Sequence, residues 1–341
     1  MIRLTRLQVR VVERVLAAIP LALVVAIAAF VFMRAIPGDP VDIMMGEAAG
    51  ATADDIELLR RELGLDKPIG VQLWAYLKGL AKGDLGYSIV RSRPVADVIG
   101  EAIPATVELA LFAMFLALLI GIPVGVASAL SHNSLLDRSV SAASFVGISI
   151  PPFCLGVVAI LVFAMGLGWL PTSGRTAFGC EPTCLTGLYV LDSLLTWDLP
   201  ALVESLRHLL LPAGTLAVGV AAVVARITRS SMLEVMRADY VLFARAKGVP
   251  ERQVTVRHGL RNALIPTVTL VGLQLGSLLG GNMIVETIFG WPGLGRVVVD
   301  SIFAHDYPMV QASVMVYALT FVVVNLLTDV VYTMLNPKMS I

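Results

Sequence analysis

Few residues in this chain are of a type that carries chemistry, and they are scattered. The four histidines, His132, His208, His258 and His305, show no H-E-x-x-H spacing, and a metal site needs several ligands brought together. No G-x-x-x-x-G-K-[ST] loop is present to cradle a nucleoside triphosphate, so ATP hydrolysis has no seat here. Cys180 and Cys184 stand four apart in "GCEPTC". They read either as a small-loop disulfide in an oxidising compartment or as two unpaired surface thiols. Cys154 falls inside an apolar run and reads as a packing residue. The carboxylates most at odds with their surroundings are Glu108, Glu286 and Asp329, each near the end of an apolar run. Charge at bilayer depth is expensive, so they are read as interfacial or capping groups; a proton relay would want carboxylates at mid-membrane. No catalytic and no metal-binding residue is expected.

The elements that hold these groups are dominated by lipid-soluble sequence. Hydrophobic residues make up 57% of the chain, charged residues 15%, and the mean hydropathy is +0.85. Soluble domains run at roughly 45–50% apolar. Lys plus Arg and Asp plus Glu are both 25, so net charge gives no reason to expect nucleic acid as a partner. Spanning a bilayer takes about 20 mostly apolar residues, because a helix satisfies its own backbone where lipid offers no partner. Six stretches qualify: Val15–Met33, Val107–Leu130, Ser139–Trp169, Leu209–Thr228, Leu264–Val285 and Val310–Val331. The fold class is therefore all-α, a polytopic membrane bundle of six transmembrane helices. Pro151-Pro152 predicts a kink or break in the third span. The first span ends at Arg34 and lacks an A-x-A-like cleavage site, so it reads as a retained helix and not a signal peptide.

Lysine and arginine set the orientation. Arg3, Arg6, Arg10, Arg14, Arg138, Arg226, Arg229, Arg237, Arg245, Lys247, Arg252, Arg257, Arg261 and Lys338 fall on the side of both termini. The two shorter opposite loops carry Arg175, Arg207 and Arg296, which places both termini in the cytoplasm. The organisation expected is a cytoplasmic N-terminus over 1–14, a first helix over 15–33, a periplasmic segment over 34–106, a core over 107–335, and a cytoplasmic tail over 336–341. Within the periplasmic segment "TADDIELLRRELG" offers Thr52 as a helix cap and Gly64 as a stop, and "VQLWAYLKGLAKG" repeats the amphipathic pattern. In the fifth span Gln274, Ser277 and Asn282 recur among glycines that include Gly281. Polar groups along one span suggest a face turned to a pathway or to a partner helix, whereas most of the chain's small residues read as close helix packing.

The longest charged, helix-period stretch outside the spans is "DYVLFARAKGVPERQVTVRH", Asp239–His258. Together with its flanks, "RSSMLEVMRADYVLFARAKGVPERQVTVRHGLRNALIP" resembles the cytoplasmic EAA-type loop of permease subunits in binding-protein-dependent ABC importers. The branch is that of dipeptides and oligopeptides, which also serves nickel and glutathione. "AIPGDP", "LGLDKPIGVQLWAYLKGLAKGDLGYS", "PATVELAL", "SIPPFCLG", "GWLP", "ETIFGWPGLGRVVVDSIFAHDYPMVQ" and "NLLTDVVYTMLNPK" match the family in the same order, over essentially the whole chain. Against the family pattern, Gly248 fits the glycine and Ala244 the second alanine. Leu242 and Phe243 replace Glu and Ala, and His258 and Arg261 depart from the usual Ile and Pro.

The resemblance implies a MetI-like permease fold whose coupling loop spans about 232–262. Met232–Lys247 is expected to continue as a helix, with Gly248 as its αL stop and Pro250 blocking extension. Asp239, Tyr240, Phe243, Ala244, Arg245, Ala246, Lys247 and Gly248 would engage a separate ATPase subunit. Tyr240, Phe243 and Ala244 would serve as anchors while Arg245 and Lys247 stay wet. ATP and Mg would be bound by one or two such partners and no cofactor by this chain. A second homologous permease subunit and a periplasmic binding protein would complete the machine. The substrate expected is a short peptide, with glutathione, a nickel chelate or a sugar as alternatives. An ion-coupled secondary carrier is the competing class.

Overall fold

The structure, a computed structural model, describes residues 2–35, 57, 60, 61, 66–88 and 90–335. Most of the predicted helix from Thr52 to Gly64 and the 336–341 tail lie outside the described residues. The chain divides into two compact units, Met1–Ile103 with Gly293–Val322, and Pro104–Pro292 with Val323–Ile341.

The first unit contains helices Ile2–Ala35 (α1) and Ile69–Ala81 (α2). A two-residue hairpin follows, Tyr87–Ser88 (β1) paired antiparallel with Arg93–Pro94 (β2). The helix predicted over "VQLWAYLKGLAKG" is α2; the hairpin carries no period long enough to be read in advance. Phe30 of α1 stacks on Tyr76 of α2 at 5.7 Å between ring centroids. Arg34 lies over the Phe30 ring and donates to Gln72 Oε1 at 2.7 Å, so the arginine that closes the first apolar run ties it to α2. Helix Val95–Leu130 (α3) starts in this unit and ends in the second. It begins twelve residues earlier than the predicted span, because "VADVIGEAIPA" has helical period as well as polar residues. Helix Leu294–Phe303 (α12) and the start of Tyr307–Leu335 (α13) complete the unit. Asp306, just before α13, accepts hydrogen bonds from the Ser88 hydroxyl and, at 3.4 Å, from the Met309 amide.

The second unit is built on helix Leu199–Val235 (α7), capped by Asp198, which accepts from the Ala201 amide at 3.1 Å. Its 37 residues reach about 55 Å at 1.5 Å per residue, well beyond the roughly 30 Å of hydrocarbon. Some 72% of its apolar stretch is buried, against 33–39% for the other three long spans, so α7 is the central post. The end of α3 docks on it through Gly121 and Gly125, where an added Cβ would come within 2.8 Å of Ala221 O and 2.6 Å of Ala225 O. This close backbone approach is the work of small residues in a setting where lipid competes with apolar side chains for contact. The core gathers Leu109, Leu209, Val224 and Phe289, with Trp291 donating from Nε1 to Ala105 O at 2.8 Å.

The break at Pro151-Pro152 is real and sharper than a kink. Helix Leu135–Ser149 (α4) and the segment from Pro152 to Gly166 diverge by 99°. The residue before a proline is driven to extended backbone, and both Ile150 and Pro151 take it up. The second arm is an α-helix over Pro152–Ala159 (α5) continued as a π-helix over Ile160–Gly166. After α6 (Tyr189–Leu195) and α7 come α8 (Asp239–Ala246) and α9 (Glu251–Gln253). A second π-helix (Val254–Leu260), α10 (Arg261–Gly281) and α11 (Met283–Ile288) follow.

Among the described residues four helices are long and apolar enough to cross a membrane, or up to five spans if the bent pair is one. In α1 the described apolar part is Ile19–Ala35, shorter than those four. Two expectations change. Helix α9, the π-helix and α10 form one run from Glu251 to Gly280, so the fifth span begins well before Leu264. Met232–Lys247 is not one helix: α7 ends at Val235, and Ala238 adopts extended backbone before α8 begins. The break folds Val241 and Ala244 of α8 back onto Val254, with Val235, Met236 and Val249 around them.

Candidate functional site

Helix α8 is the segment the loop motif singled out, and its local sequence explains its shape. Asp239 lies in the first turn and Arg245 in the last, each favourable to the helix dipole. Gly248 has φ +76°, the left-handed conformation that glycine adopts without a Cβ penalty. Its amide donates to Arg245 O at 2.9 Å and that of Val249 to Ala244 O at 3.2 Å, closing the C-terminus. Pro250 then opens α9.

The face presented is partly the predicted one. Tyr240 and Phe243 are exposed at 45% and 61%, and Asp239, Arg245, Ala246, Lys247 and Gly248 are exposed too. Ala244, expected as an anchor, is buried in the joint between α8 and Val254, and Leu242 takes its place on the surface. Arg245 bonds Glu251 at 2.6 Å, and that carboxylate raises the pKa of the guanidinium. Lys247 Nζ sits 4.4 Å from the centre of the Phe243 ring, and Tyr240 Oη accepts from Asn262 Nδ2 at 3.1 Å. The result is a short helix with an aromatic–aliphatic outer face, Tyr240, Leu242 and Phe243, beside the cations Arg245 and Lys247. This chemistry suits a groove on another protein and offers nothing to bond-breaking.

Of the residues proposed for a pathway, Gln274, Ser277 and Gly281 lie on α10 and Asn282 just past its end. Gln274 is half-buried and Ser277 exposed, and Gly281 is the last residue of the helix. Asn282 turns its side chain back, donating to Leu278 O at 2.7 Å as the chain breaks into α11. Cys180 and Cys184 are free, exposed thiols, so the small-loop disulfide is not formed in this structure.

Sequence reasoning singled out Glu108 and Glu286 but missed Asp137 and the partners with which these buried groups brace the unit. Glu108 does cap a helix, accepting from the Val190 amide in the first turn of α6 at 2.7 Å, and it also takes Arg175 at 2.5 Å. Arg175 lies in turn over the Tyr189 ring at 3.7 Å and reaches Gly187 O at 2.6 Å. Glu286 accepts from the Thr106 hydroxyl at 2.8 Å. At the other end of α3, Asp137 bonds Ser128 and Arg229. The cost of charge at such depth is the one signal that pointed to Glu108 and Glu286. Nothing in a single sequence names their partners.

These features define a class: a helical chain with four helices long and apolar enough to cross a membrane, no metal-ligating cluster among the described residues, and a short exposed helix, α8. Residues 121–341 match the family described as binding-protein-dependent transport system inner membrane component, and residues 7–110 match its N-terminal region. The chain is 42% identical over 327 residues to the glutathione transport system permease protein GsiC of Salmonella paratyphi A, covering 96% of this chain and 97% of that one. The protein of the same name from Escherichia coli K12 is 41% identical over the same length. In fold it resembles a chain of the inward-facing MetNI methionine ABC transporter, with a TM-score of 0.54 and 20% identity over 70% of this chain and 96% of that one. The chain belongs to the family of inner-membrane permease components of binding-protein-dependent ABC transporters. It is a multi-pass transport subunit of the inner membrane and not an enzyme; ATP is bound by an ATPase partner.

Proposed function

We propose that this chain forms one half of the translocation path of an importer for glutathione. The observation that carries this substrate is the 42% identity to glutathione permeases over 96% of the chain. It favours glutathione over the general short peptides that the sequence motifs suggested first. The two are chemically close, since glutathione is a tripeptide with one γ-linked bond.

In this reading the path lies between this subunit and a second homologous permease, with six spans in each and both termini in the cytoplasm. The bias of arginine toward the N-terminus, the first turn of α4 (Arg138) and the α8 region supports that orientation. A periplasmic binding protein delivers substrate to the outer face, where residues 36–103 and the stretch from Glu286 to Pro308, which carries α12, help receive it. Two ATPase subunits grip α8 and its counterpart through Tyr240, Leu242 and Phe243. ATP-driven closure of those subunits favours one orientation of the path over the other, which is what ties transport to hydrolysis. Gln274, Ser277 and Gly281 mark the face of α10 that lines the path, and Asn282 marks the end of that helix.

The test is calorimetric titration of the cognate periplasmic binding protein with glutathione, unmodified α-linked tripeptides, nickel chelates and sugars. Tight binding of glutathione is expected. Tight binding of a nickel chelate or a sugar with none of glutathione would overturn the substrate assignment.

A further inference from the structure

Three helices of the second unit meet in one charged knot at the end where α8 is attached. Asp137 is the third residue of α4, Ser128 lies two residues before the end of α3, and Arg229 lies six residues before the end of α7. The Asp137 carboxylate is saturated. Oδ1 accepts from Ser128 Oγ at 2.5 Å and Arg229 Nε at 2.5 Å, while Oδ2 accepts from Arg229 Nη2 at 2.8 Å and the Asn133 amide at 2.9 Å. His132 Nδ1 stands 3.4 Å from Oδ2 and 3.3 Å from Arg229 Nη2. The Asp137 side chain is 4% exposed and that of Arg229 25%.

Such a knot is not required to hold the helices together. Gly121 and Gly125 already bring α3 onto the α7 backbone, and Gly147 of α4 lies against Ala222 and Val218. Buried ion pairs contribute little net stability compared with apolar packing, whereas parting one leaves a charge uncompensated. The planar two-bond contact of arginine with carboxylate instead fixes direction: α4 must turn with α7 or lose both bonds at once. The α7 end is itself fixed to α8, because Val241 and Ala244 pack against Val235, Met236 and Val254. Beyond the knot, α4 leads straight to the 99° break at Pro151 and to α5, whose Gly156 abuts Phe289 and Thr215.

We infer that the Arg229–Asp137 pair is the joint that carries displacement of the coupling helix α8 along α7 into the broken span α4–α5. Both are positioning residues for the transport stroke, and neither needs to touch substrate. The inference rests on the reading of α8 as the seat of the ATPase. Ser128 and the Asn133 amide hold the carboxylate in orientation, and Arg229 supplies the two-bond contact. α3, α4 and α7 thus move as one body when α8 is pulled.

The test uses the complete complex, with both permeases, the ATPase subunits and the binding protein, in proteoliposomes. Uptake and ATP hydrolysis are measured together for wild type, Asp137→Asn, Arg229→Met, Arg229→Lys and the Asp137→Asn/Arg229→Met double variant. The expected result is assembled complexes that still hydrolyse ATP, with uptake per ATP lowered on the order of tenfold in both single variants. Arg229→Lys should fall between, because it keeps the charge and loses the fork. The double variant should be no worse than either single change, as for two residues acting through each other. An unchanged uptake-to-ATP ratio in assembled single variants would overturn the inference, as would losses that multiply in the double variant. Where Asp137→Asn fails to assemble, Arg229→Lys decides by the same ratio. Absence of ATP-driven uptake in the wild-type complex would instead overturn the importer reading beneath it.

Discussion

Glu108 and Arg175 form an ion pair whose side chains are 6% and 8% exposed, and removing either partner strands a buried charge. Loss of one member of such a pair typically costs about 3–5 kcal/mol. Arg175→Met is therefore expected to lower the Tm of the purified chain in detergent more than Glu108→Gln, which keeps a hydrogen-bond acceptor. A scan showing no drop for Arg175→Met would contradict the bracing role. Asp192 offers a pH-dependent case outside the long spans. Burial pushes its carboxyl up, but the Thr186 hydroxyl and the amides of Thr186, Leu185 and Gly187 outweigh burial and hold it below the ordinary aspartate value. A depressed folded-state value adds stability that is present above the unfolded value of about 3.9 and is lost as pH falls through the folded one. Asp192→Asn should thus have a lower Tm than wild type at pH 7, and the gap should close as pH drops below that value. A gap independent of pH would refute this. At this scale the sequence was least legible, because Arg175 reads as an ordinary loop charge until folding places Glu108 beside it.

At the scale of elements, what could be read in advance followed periodicity and backbone chemistry. Apolar runs of spanning length located α3, α7, α10 and α13, and the proline pair located the break between α4 and α5. Gly248 gave the end of α8, and its φ of +76° is the reason. The start of α8 was hidden, since no proline or glycine marks Met236–Ala238 and the break exists to bury Val241 and Ala244. That tertiary cause yields a prediction. Ala244→Asp places a charge in the joint with Val254 and should detach α8, so that the ATPase no longer co-purifies while the membrane helices remain inserted. Retention of the ATPase by this variant would show that the joint does not hold α8. In the same spirit Gly125→Val forces a side chain into Ala225 O, 2.6 Å from the new Cβ. Overpacking of this kind costs roughly 1–3 kcal/mol. Thermal unfolding should show it, and a wild-type Tm would mean that α3 and α7 separate freely.

For the whole molecule, the division of labour follows from what the chain lacks and what it exposes. It has no phosphate-binding loop and presents a short helix with Tyr240, Leu242 and Phe243 outward, in a family whose members work with an external ATPase. Family membership was legible because the motifs run in order along the whole chain. Substrate choice was not, since the groups that recognise cargo in the binding protein are absent from this sequence. The most direct measurement is uptake of labelled glutathione by proteoliposomes holding the complete complex, with cognate binding protein on one side and ATP on the other. Wild type should accumulate glutathione only with hydrolysable ATP, and Phe243→Asp, which alters only the exposed face of α8, should abolish accumulation. Uptake that runs on an ion gradient without ATP, or that survives Phe243→Asp undiminished, would contradict the account.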